Sequence, residues 1–117
     1  MATEIEPLIM PFNPLWVTTS KREYREAVRR MGEEPGDTKG KDGLTSCIPG
    51  KGCVVWISRK VKALDLYALA AHEATHAACD MLASIGEDTP AAEELAYMVQ
   101  TITAGIIIAC GGSDGDD

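Results

Sequence analysis

The clearest element in the chain is a short apolar run, Cys53-Val-Val-Trp-Ile-Ser58, rich in β-branched and aromatic residues. It predicts a strand. Upstream, Leu15 to Thr19 places Trp16 and Val17 together and predicts a second short strand. Ser20-x-x-Glu23 has the form of a helix capping box, after which Tyr24, Ala27, Val28 and Met31 recur at helical spacing and Gly32 ends the helix. Glu33 to Gly52 is dominated by Gly, Pro, Asp and Lys. It reads as a long loop, with room for a strand near Leu44 to Ile48.

The second half is helical by pattern. Asp65 is placed to cap a helix running from Leu66 to about Ser84. Leu66, Leu69, Ala70, Ala77, Met81 and Ala83 leave that helix nearly apolar all round, as expected of a central buried helix, and Gly86 ends it. Thr89 as N-cap and Pro90 at the first helical position open a last helix, with Leu95, Met98, Val99, Ile102 and Ile106 as its core stripe. Three prolines within residues 5–14 predict an extended arm or irregular strand. The sequence therefore predicts an α+β fold, three helices packed on a small antiparallel or mixed sheet. One domain spans 15–110, between an extended arm (1–14) and an acidic flexible tail (111–117).

Composition narrows the function classes. At 117 residues the chain has room for one small domain, and its 45% hydrophobic content supports a modest core. A formal charge of −7 argues against nucleic acid as a partner. The N-terminus lacks a basic segment followed by an apolar run, and the apolar stretch from Ile102 to Cys110 is too short for a membrane span. A cytoplasmic location is the expectation, with Cys47, Cys53, Cys79 and Cys110 as free thiols. Cys47 and Cys53 flank a five-residue loop and could pair if oxidised.

The chain has two histidines, and both fall in His72-Glu73-Ala74-Thr75-His76. On a helix, positions i and i+4 share a face, so both imidazoles can reach one Zn²⁺, and Glu73 can take a proton from water held there. A catalytic zinc usually takes three protein ligands. With no third histidine, a carboxylate must complete the set: Asp80, Glu87, Asp88, Glu93 and Glu94 are the candidates downstream. A carboxylate in the first turn of the last helix is favoured by the helix dipole. Asp80 is better placed to support a ligand than to be one. Tyr97, one turn after Glu93, could hydrogen-bond at the site or polarise a carbonyl. The Lys39, Lys41 and Lys51 loop could flank a substrate groove, and the strand from Val54 to Ser58, if at a sheet edge, could align an extended peptide.

The segments His72-Glu-Ala-Thr-His-Ala-Ala-Cys-Asp80, Ile85-Gly-Glu87 and Glu93-Glu-Leu-Ala-Tyr97 resemble small phage-encoded HExxH zinc metallopeptidases of the gluzincin kind. The similarity extends over about residues 15–108, with its specific motifs confined to 72–97. It implies a minimal zincin-like domain in which His72, His76 and Glu93 hold Zn²⁺ and Glu73 is the general base. Glu94 is out of register with the E-x-x-A-Y motif and ranks second. The resemblance implies a peptide or protein substrate and a place in the host cytoplasm. A different class of function stands beside it: a zinc-stabilised structural protein of a phage particle, in tail or capsid, without catalysis.

Overall fold

The Cys53–Ser58 run lies at the centre of a four-stranded mixed sheet. In chain order the elements are β1 (Thr3–Ile5), β2 (Leu15–Thr18), α1 (Lys21–Arg30), β3 (Gly43–Ile48), β4 (Gly52–Ile57), α2 (Ala63–Ser84) and α3 (Ala92–Ala109). They are seen in a computed structural model that describes residues 3–5, 14–84 and 92–111. The strand order is β1-β2-β4-β3. β1 pairs antiparallel with β2, and β3 antiparallel with β4, while β2 and β4 run parallel in the register Leu15↔Cys53 to Thr18↔Trp56.

Helices cover both faces of this sheet. Val54 and Trp56 point towards α1, where they pack with Tyr24 and Val28. Cys53, Val55 and Ile57 point the other way, with Leu15 and Val17, into a core built from α2 and α3. A strand covered on both faces has no solvent side, which is why β4 reads as an unbroken apolar run rather than an alternating one. Ala70, Ala74, Ala77 and Ala78 are fully buried on the inner face of α2. Their small side chains let that helix lie close to the sheet and to Met98, Ile102 and Ile106 of α3.

Local signals produced the expected local structures in α1. Ser20 Oγ accepts from the Glu23 backbone N–H at 3.1 Å, and Gly32 follows the helix with φ +91°. Glu23 does not complete the reciprocal half of a capping box with Ser20. Instead its carboxylate accepts from Thr18 Oγ1 at 2.7 Å, while the Ser20 N–H donates to that same hydroxyl at 3.0 Å. The Thr18 hydrogen bond holds the Glu23 carboxyl below its ordinary pKa. The β3–β4 hairpin turns through Pro49-Gly50, with Gly50 at φ +77° and the Lys51 N–H bonded to Ile48 O at 3.0 Å. Gly52 is required where β4 begins: φ is +145°, and a Cβ there would stand 2.6 Å from Pro14 O.

Four expectations change. The strand from Val54 to Ser58 is not at a sheet edge; β4 is interior, and β3 is the edge strand beside it. The central helix is not buried all round. Leu64, Tyr67, His72, Thr75, His76, Cys79 and Asp80 form an outward face, because α2 is covered only on its sheet and α3 sides. Asp65 sits in the first turn of α2 rather than capping it, since the helix starts at Ala63. Cys47 and Cys53 are not free thiols but a disulfide across the β3–β4 ladder, whereas Cys79 and Cys110 are free. Part of the expected arm, Thr3–Ile5, joins the sheet as β1. Gly86, Glu87, Asp88, Thr89 and Pro90 fall outside the described residues, as does the acidic tail beyond Gly111. No helix among the described residues is long and apolar enough to cross a membrane.

Candidate metal centre

α2 carries the histidine pair on its outward face. His72 and His76 are both exposed, and their rings meet edge to face with centroids 4.8 Å apart and planes at 78°. Two imidazoles bound to one tetrahedral ion at about 2.0–2.1 Å per nitrogen place their ring centroids about 5 Å apart. The observed pair has a separation of that order. Between them on the helix, the Thr75 hydroxyl donates to Ala71 O at 2.8 Å and takes no part in the pair.

Glu73 follows His72 by one residue, which turns its side chain about 100° around the helix. That rotation takes it out of the exposed face and into the seam between α2 and β3, where it is 5% exposed. A buried carboxylate needs hydrogen-bond donors. Thr45, on β3, supplies one through its hydroxyl, which donates to Glu73 Oε1. Glu73 Oε2 lies against Gly43, where a Cβ would come within 3.2 Å of it. Neither Thr45 nor Gly43 was among the residues singled out from sequence. Their one trace there is that they alternate with Leu44, on the strand face opposite to it.

A shallow groove of about 520 Å³ opens along this seam, lined by Lys41, Asp42 and Gly43 from one side and by Asp65, Leu69, His72 and Glu73 from the other. Of the three loop lysines, Lys41 reaches this groove; Lys39 and Lys51 are exposed elsewhere. Further along the seam, Asp80 and Met81 share a cavity of about 390 Å³ with the Cys47–Cys53 disulfide and Pro49.

The remaining predicted residues belong to α3. Glu93 belongs to the first turns of α3, and its side chain lies outside the described part of the chain; Glu94 is half-buried on the same helix. Tyr97 is 52% exposed on α3, and the groove beside His72 and Glu73 is walled without it. Among the described residues, no three His, Cys, Asp or Glu side chains are grouped to hold an ion. The described structure thus supplies two imidazoles and an adjacent buried carboxylate. Comparison with known proteins adds no assignment: no family model matches the chain, and no curated protein or solved structure is significantly similar to it.

Proposed function

We propose that this chain is a zinc-dependent peptidase. His72 and His76 would hold the ion from the outward face of α2, with Glu93 as the third ligand. Zn²⁺ bound there would act as a Lewis acid and bring the pKa of a water towards about 7. Glu73 is the general base. It takes a proton from the attacking water and returns it to the leaving amine. The substrate is a peptide or protein segment, which β3, an edge strand of the sheet formed by the described residues, aligns in extended form by strand addition.

The observation that supports this most is the division of labour along one helix turn. Two exposed imidazoles stand at the spacing of a shared ion, and the carboxylate between them in sequence is turned into the seam beside an edge strand. A purely solvated His-Glu-x-x-His helix would have no reason to bury Glu73 against a strand that donates to it.

The test is Glu73→Gln, which keeps an acceptor for Thr45 and removes the base. Zinc content should stay at the wild-type level while cleavage of a fluorogenic peptide falls by about 10²–10⁴-fold. Undiminished cleavage in this variant would remove Glu73 from the role. One observation favours a second reading, a zinc-stabilised structural protein of a phage particle: Leu64 and Ile108 are 76% and 64% exposed, apolar side chains available to a neighbour. Zinc-dependent melting with no cleavage of any peptide, together with fixed stoichiometry in particles, would select it.

A further inference from the structure

We propose that Thr45 is the positioning residue for Glu73, dividing the two carboxylate oxygens into a held one and a working one; this rests on the reading of Glu73 as the base. The Thr45 hydroxyl lies close to two acceptors, Glu73 Oε1 and, at 3.4 Å, the Glu73 backbone oxygen. A hydroxyl has one proton to donate. The shorter contact is to Oε1, so the carboxylate receives it. Oε1 is thereby tied to β3, while Oε2, beside Gly43, accepts no hydrogen bond from the described residues.

Gly43 completes the arrangement. A Cβ at this position would stand 3.2 Å from Oε2 and 3.2 and 3.3 Å from the two Leu69 methyl groups. The missing side chain lets β3 lie close against Glu73 and Leu69, where a methyl group would press on Oε2. Thr45 and Gly43 are two apart on β3, so both face α2, one bonded to Oε1 and the other sparing Oε2 a steric contact.

The strand that presents Thr45 is itself held from behind. Ser46 points to the opposite face, where its hydroxyl is 2.7 Å from the Tyr24 hydroxyl, and that phenol also accepts from the Gly36 N–H at 3.2 Å. Tyr24 is fully buried. A donor mounted on a strand fixed on both faces can hold a carboxylate to the fraction of an ångström that proton transfer needs, and misplacement of about 1 Å can cost 10²-fold.

The experiment uses the full chain and three variants: Thr45→Val, which keeps the shape and removes the hydroxyl, Thr45→Ser, which keeps the hydroxyl, and Gly43→Ala. In the metal-free protein, the Glu73 carboxyl ¹³C resonance at fixed pH should move in Thr45→Val and return in Thr45→Ser. On a fluorogenic peptide cut by the zinc-loaded wild type, Thr45→Val should lower kcat on the order of 10- to 100-fold with KM and bound zinc unchanged. Thr45→Ser should recover most of that loss, and Gly43→Ala should lower kcat with the Thr45–Glu73 signature intact. A wild-type kcat in Thr45→Val, or Thr45→Ser as slow as Thr45→Val, would overturn the proposal. A wild type that binds zinc and cuts no peptide would instead overturn the peptidase reading, and the carboxyl resonance would still report whether Thr45 holds Glu73.

Discussion

Cys47 stands directly opposite Cys53 in the antiparallel ladder of β3 and β4, and a disulfide joins the two strands there. The bridge lies at the hairpin end, two residues from Thr45, and packs into the core shared with α2. It ties the edge strand to the sheet at the end nearest the turn.

Closing so short a loop restricts the unfolded chain by about 2 kcal/mol in the chain-entropy treatment. For a chain of this size that corresponds to a fall in Tm of about 6–12 °C on reduction. Calorimetry with and without a thiol reductant measures it, and the double variant Cys47→Ser, Cys53→Ser should melt at the lower temperature regardless of reductant.

His72→Ala and His76→Ala should each weaken zinc binding by at least about 100-fold, since loss of a partner behind a ligand alone costs about 10–100-fold. Because both rings are exposed, the metal-free stability should change by no more than about 0.5 kcal/mol. Isothermal titration with zinc and urea unfolding of the metal-free variants measure the two effects separately. Zinc affinity left intact in both variants would rule out the pair as ligands.

Tyr24→Phe removes one hydroxyl from a fully buried ring and leaves the Gly36 N–H and the Ser46 hydroxyl without their partner. The expected destabilisation is about 1–3 kcal/mol, read from the urea midpoint at constant m value. A change within error would mean that water replaces the phenol at the back of β3.

The two free thiols should differ in reactivity. Burial pushes the Cys110 thiol up to about 11, whereas Cys79 is exposed on α2. The thiolate is the reactive form, so a raised pKa means less of it at any pH below that value. At pH 8, iodoacetamide should modify Cys79 first and Cys110 at least about 10-fold more slowly, the gap narrowing as pH approaches 11. Peptide mass mapping over time gives both rates.

What was legible in the sequence was local. The β4 run and the Ser20 cap with Gly32 behind α1 each depend on residues within a few positions, and each stands as expected. The histidine pair was legible for the same reason, because four residues on one helix fix its geometry. What was not legible is long-range. Nothing in Thr45 announces a partner twenty-eight residues away, and its polarity fits a solvated strand equally well. The misplaced edge has a related cause. β4 pairs parallel with β2, so α1 and β3 intervene between the two strands in sequence, and strand order depends on that crossover rather than on either strand's composition. The outward face of α2 was hidden by its alanines, which read as apolar wherever they lie.

The grip on β3 from two sides has a consequence for anything that pairs with its open edge. Thr45 is bonded on one face and Ser46 on the other, so the strand can neither slide nor roll without breaking a hydrogen bond. It behaves as a fixed ruler. A guest strand shifted by one residue would present the wrong face to Glu73, and one shifted by two would restore the face about 7 Å further on. Selectivity at such an edge comes from counting along the guest backbone, before any side-chain pocket is consulted.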